Sequence, residues 1–118
     1  MTTSSFSNDN GWYIIAVADG AGSAKFSRKG SEIACRSVVD YCKEKLTGDS
    51  DLEEKIQDYY GAENETSLRK TVGDAVYGIV GNAAYSAHKA IAEAAKQAED
   101  ANLKDFATTL LLSICKKF

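Results

Sequence analysis

Asp19 has the strongest claim to chemistry, within Ala16-Val17-Ala18-Asp19-Gly20-Ala21-Gly22-Ser23-Ala24-Lys25. There an apolar run stops at a carboxylate and passes into a loop of small residues. An aspartate at the end of a strand stands on fixed backbone, which suits it to hold a hard divalent cation through oxygen. Gly20 and Gly22 allow positive φ and close approach of the main chain to a ligand. Other glycine-loop chemistries require different spacings. A P-loop needs Gly-Lys followed by Ser or Thr, whereas Lys25 stands five residues after Gly20 and is followed by Phe26 and Ser27. The dinucleotide fingerprint fails because Lys25 takes the place of its third glycine. A Gly-x-Ser-x-Gly nucleophile elbow and a calcium loop are absent from the sequence. Phosphate or nucleotide binding by the amides of the Gly20–Ser27 loop, at a helix start, stays open as an alternative.

The remaining reactive residue types point elsewhere. His88 is the only histidine, with no second ligand at i+4, and reads as a partly exposed helix residue. Cys35, Cys42 and Cys115 have no zinc-ligand spacing, and their odd number suggests no disulfide framework. All three read as small buried apolar residues in a reducing cytoplasm. Cys35 and Cys42, seven apart on one helix, would lie about 10 Å apart along its axis, too far for a disulfide.

The elements around the loop follow from hydrophobic patterning. Met1–Gly11 is polar and ends in the turn signal Asn8-Asp9-Asn10-Gly11, so the first strand is expected at Trp12–Ala18, buried and central. Ser27 is a candidate cap for a helix over Arg28–Leu46, with Ala34, Val38, Tyr41 or Cys42, and Leu46 on one face and Gly48 as its stop. Lys25 and Arg28 are expected to face solvent. Asp49–Glu65 carries seven acidic residues against Lys55; Ser50 and Glu53 form a capping-box pattern, and Leu52, Ile56, Tyr59 and Tyr60 give a short helix one apolar side. Asn64-Glu65-Thr66 matches a glycosylation acceptor, which carries no meaning if the chain stays in the cytoplasm, as expected here. Ser67–Ala101 keeps a helical period over about 50 Å. Gly73, Gly78 and Gly81 weaken that helix, suggesting a break near Gly78 or close approach to a helix or sheet. Asn102 and Asp105 end it, and Phe106–Cys115 reads as a second apolar strand.

At 118 residues the chain fits a single domain over 1–118. Its 44% hydrophobic and 26% charged residues are ordinary for a globular protein, although proline is absent. A net charge of -3 gives no general attraction to nucleic acid or to anionic membranes. No run is long and apolar enough for a membrane span.

Val17-Ala18-Asp19-Gly20-Ala21-Gly22-Ser23-Ala24-Lys25, followed by Ser27 and Gly30-Ser31-Glu32-Ile33-Ala34, resembles the first metal-binding motif of the PP2C-type (PPM) serine/threonine phosphatases, most closely their bacterial branch. Phe106-Ala107-Thr108-Thr109-Leu110-Leu111-Leu112 looks like the family's Thr-Thr-Leu strand. The resemblance implies an α+β fold, part of an α-β-β-α sandwich with two long antiparallel helices packed on antiparallel strands. It implies that Asp19 bridges two Mg2+ or Mn2+ ions and that the Gly20 carbonyl binds one of them. The implied reaction is hydrolysis of phosphoserine or phosphothreonine in proteins, without a covalent intermediate.

The departures from the family are also specific. Its phosphate-gripping arginine is missing before the first motif, and its later Asp-Gly and Gly-Asp-Asn motifs are absent. Asp9, in Ser7-Asn8-Asp9, is a candidate for the family's N-terminal acid, although a turn explains the same residues. The expectation is thus a partial, N-terminal to middle PP2C-like domain, inactive alone, with Asp19 and Gly20 as metal-site residues and no assignable catalytic group. The competing expectation is a non-catalytic interaction module, associating through exposed sheet edges and the Ala/Gly-rich helix, including with copies of itself.

Overall fold

A computed structural model describes residues 2–9, 11–61 and 66–116 of the chain. The run beginning at Trp12 forms β2 (Trp12–Asp19), the middle strand of an antiparallel sheet in which it lies between β1 (Thr2–Asp9) and β3 (Leu111–Lys116). Its placement is as expected, but its burial is not. Trp12, Ile14, Ala16 and Ala18 are buried, whereas Ile15 is 41% exposed, because among the described residues only one sheet face is covered. A strand buried on one side alternates regardless of its composition.

The polar N-terminus is a strand and not a loop. β1 (Thr2–Asp9) pairs with β2 from Thr2↔Asp19 to Asp9↔Trp12, and Gly11 takes φ 78° at the turn. Asn8 and Asp9 therefore belong to the ladder. The hairpin escaped hydrophobic patterning because its inner contacts are polar. The Thr3 and Ser31 hydroxyls lie 2.9 Å apart, and the Cys35 thiol donates to the Thr3 carbonyl at 3.4 Å.

Helix α1 (Ser27–Thr47) lies across β1 and β2, burying Ala34, Cys35, Val38, Val39, Cys42 and Leu46. Its length matches the periodicity, and Cys42 rather than Tyr41 takes the fully buried position. Ser27 is not its cap. The helix begins at Ser27 itself, after Phe26, and no side-chain bond closes the end. The short helix α2 (Ser50–Gly61) is likewise capped one residue earlier than the sequence suggests: the Asp49 carboxylate accepts from the Leu52 amide at 3.0 Å. Glu53 is thereby released to pair with Lys116 at 3.0 Å, and Leu52 and Ile56 are buried as expected. The side chains of Tyr59 and Tyr60, and Asn64, Glu65 and the Thr66 side chain of the glycosylation-acceptor match, lie outside what the structure describes.

Helix α3 (Thr66–Gln97) is one uninterrupted helix of 32 residues. It packs mainly on α1, with Ala83 and Ala87 buried, and its last turn lies beside the first turn of α1, so the two run antiparallel. No break occurs near Gly78. Nor do Gly73, Gly78 and Gly81 mark a close approach, since a Cβ at each would meet nothing within 4 Å. His88 is exposed, as expected.

After α3, a capping box closes the N-terminal end of a short 3-10 turn (Leu103–Phe106): the Asn102 side chain accepts from the Lys104 amide at 3.0 Å, and the Asp105 carboxylate accepts from the Asn102 amide at 2.9 Å. Phe106 is buried there and stacks on Phe26, with ring centroids 5.3 Å apart. The second strand is consequently shorter than the sequence suggests. β3 (Leu111–Lys116) starts five residues after Phe106 and pairs with β2 from Val17↔Leu111 to Trp12↔Lys116. It is a half-exposed edge, so Leu111 and Cys115 face outward, and the expectation that all three cysteines are buried fails at Cys115. The fold class stands: α+β, with antiparallel strands and long antiparallel helices, consistent with part of a PP2C-like sandwich.

Candidate functional site

Asp19 ends β2 and Gly20 follows it, as the sequence indicates. The corner is built by the segment after the 3-10 turn. The Thr109 amide donates to the Asp19 carbonyl at 3.0 Å, and the Ala21 amide donates to the Ala107 carbonyl at 3.0 Å. These bonds flank the isolated bridge Gly20↔Thr108. In such a narrow antiparallel pair, the main-chain groups of the central residues point away from each other. The Gly20 carbonyl is therefore directed away from Thr108.

Gly20 is required here for space. A Cβ on it would lie 2.6 Å from the Ser27 carbonyl oxygen. Among the described glycines only Gly11 has positive φ, so neither Gly20 nor Gly22 uses the conformational freedom that glycine allows, and a Cβ at Gly22 would meet nothing. The loop descends to α1 through bonds that use its own amides: Phe26 donates to the Asp105 carbonyl at 2.6 Å and Ser27 to the Ala24 carbonyl at 3.3 Å. Two amides that an anion at the helix start would need are thus already engaged. Lys25 and Arg28 face solvent; Lys25 lies 5.2 Å from the Phe26 ring centroid, and Arg28 pairs with Glu32.

The Asp19 carboxylate and Gly20 carbonyl are hard oxygen donors, the ligand type that Mg2+ and Mn2+ prefer. They fit one corner of such a site and do not complete it. Among the described residues no group of three His, Cys, Asp or Glu is placed to hold a metal ion. Asp9 does not supply the missing acid, because it pairs with Trp12 at the far end of the hairpin. Seven residues of strand separate it from Asp19, about 23 Å at 3.3 Å per residue. Sequence reasoning missed Thr108 and Thr109 as parts of the corner. Their signal is the Thr-Thr pair itself, which composition alone assigns to a strand.

The family model described as protein phosphatase 2C matches residues 2–117, almost the whole chain. The chain belongs to the protein phosphatase 2C family. The match begins at β1, which agrees with the hairpin in the structure. No curated protein and no solved structure matches the chain significantly. Among the described residues no helix is long and apolar enough to cross a membrane.

Proposed function

We propose that this chain supplies the Asp19-Gly20 corner of a metal-dependent phosphatase centre that hydrolyses phosphoserine and phosphothreonine in proteins, with two Mg2+ or Mn2+ ions in the complete site. Family membership supports the reaction class. The observation that carries the local reading is the bonded strand end, which fixes Asp19 and turns the Gly20 carbonyl away from the adjoining strand. A single bridging carboxylate does not complete a two-ion site, and no group of three acidic, histidine or cysteine ligands forms among the described residues, so the chain alone is expected to turn over little substrate, with further ligands supplied by a parent domain. Two buried thiols and one exposed, unpaired thiol suit a reducing cytoplasm.

Incubation of the chain with Mn2+ and a phosphothreonine peptide tests this reading, with release of at most traces of phosphate expected. Substantial turnover abolished by Asp19→Asn would show that the chain holds a complete centre. Turnover unaffected by Asp19→Asn would remove Asp19 from the chemistry.

A second reading, a non-catalytic interaction module, rests on the uncovered sheet face. Phe6 is 61% and Leu111 73% exposed, and the register places both on the side of Ile15. Apolar faces and unpaired edges of this kind associate. Sedimentation of a dilute monomer across a wide concentration range would count against it.

A further inference from the structure

The hydrogen bonds at Asp19 depart from the ladder that carries them. The β2–β3 register, Val17↔Leu111 with Gly20↔Thr108 beyond it, sets Asp19 opposite Thr109. A regular antiparallel ladder joins such a pair by two main-chain bonds, each residue donating to the other's carbonyl. Only one has that form: the Thr109 amide donates to the Asp19 carbonyl at 3.0 Å. The Asp19 amide donates instead to the Thr109 hydroxyl at 3.2 Å. That hydroxyl also lies 3.2 Å from the Asp19 carbonyl, to which it donates. The Thr109 carbonyl in turn accepts the Thr108 hydroxyl at 2.9 Å.

A side-chain hydroxyl thus replaces a main-chain carbonyl at the residue that carries the candidate metal-site carboxylate. The substitution uses both roles open to a hydroxyl, since one oxygen accepts from the Asp19 amide and donates to the Asp19 carbonyl. No aliphatic side chain of the same shape can do either. It also explains why β3 begins only at Leu111, two residues after Thr109.

We propose that Thr109 is a positioning residue, whose hydroxyl clamps the main chain of Asp19 on both sides of its Cα and so fixes the origin of the carboxylate. Thr108 supports the arrangement by occupying the carbonyl that the clamp displaces from the ladder. The role for metal binding rests on the reading of Asp19 and Gly20 as a metal corner, whereas the clamp itself does not.

The test compares the full chain with Thr109→Val, which keeps the shape and removes the hydroxyl, and with Thr109→Ser, which restores it. Amide exchange at Asp19 and the side-chain couplings that report its χ1 are read first, with denaturant midpoints as a control. In Thr109→Val, exchange at Asp19 is expected to quicken about fivefold to tenfold, the change worth one hydrogen bond, with averaged χ1 couplings. Thr109→Ser is expected to restore both. Wild-type exchange and couplings in Thr109→Val overturn the proposal, as does a Thr109→Ser protein as fast as Thr109→Val, a comparison that still holds if the valine protein folds poorly. Mn2+ is then added. Broadening at Asp19 and Gly20 that weakens in Thr109→Val and returns in Thr109→Ser ties the clamp to the metal corner. With the clamp effect present, failure of wild type to broaden refutes the metal reading and leaves the clamp standing.

Discussion

Gly30→Ala and Gly78→Ala should change stability in opposite directions, although both replace glycine by alanine within a helix. Intrinsic propensity favours alanine at each by up to about 1 kcal/mol. At Gly78 nothing lies within 4 Å of the added Cβ, so a gain of about 0.5–1 kcal/mol is expected. At Gly30 the Cβ would overlap the Phe106 carbonyl oxygen and approach its carbon to 2.8 Å. That oxygen is main chain and cannot swing aside as a flexible side chain would. α1 and the 3-10 turn must part, which strains the Phe26 amide bond to Asp105 and the Phe26–Phe106 stack. Overpacking costs about 1–3 kcal/mol, and weakening one of these bonds adds about 1 kcal/mol. After subtracting the propensity gain, Gly30→Ala should lose about 1–3 kcal/mol. Urea unfolding followed by far-UV circular dichroism and by Trp12 fluorescence measures both variants, with a lower midpoint expected for Gly30→Ala and a higher one for Gly78→Ala. A Gly30→Ala protein at least as stable as Gly78→Ala would refute the close approach of α1 to Phe106.

Three further outcomes are expected. Glu53→Ala should destabilise by about 1 kcal/mol in urea unfolding, because the side chain of Lys116, only 10% exposed beside the Trp12 ring, loses the Glu53 carboxylate as one of its partners. Asp49→Ala should cost about 1 kcal/mol by removing the α2 cap, whereas Ser50→Ala should be close to neutral. Burial pushes the Cys42 thiol up to about 11 from an ordinary 9.0. The folded state thus retains a proton that the unfolded state releases, so this contribution to stability is complete below pH 9.0 and is lost as pH rises towards about 11. Cys42→Ala should flatten that loss in urea midpoints across the range.

What could be read from the sequence depended on whether burial or hydrogen bonding shaped each element. The apolar faces of α1 and α2 were legible because Ala34, Val38, Cys42 and Leu46, and then Leu52 and Ile56, recur at helical spacing and are buried. β1 was not, since its Thr and Ser residues meet α1 through hydroxyls such as Thr3 and Ser31. The uncovered sheet face hid the exposure of Ile15, Leu111 and Cys115, which apolar composition alone assigns to a core. Asp19-Gly20 was legible as a corner because an apolar run ends there in an acid and small residues. Thr109, ninety residues later in the chain, was not legible as its partner, because only the strand register sets the two opposite each other.

The most direct measurement of a metal corner at Asp19-Gly20 is titration of the isotope-labelled chain with Mn2+, read by amide resonances. The Asp19 and Gly20 signals should broaden first, ahead of those in acidic α2, and Asp19→Asn should abolish the effect while leaving the remaining spectrum folded. Broadening that starts in α2, or that persists unchanged at Gly20 in Asp19→Asn, would contradict a metal corner at this strand end.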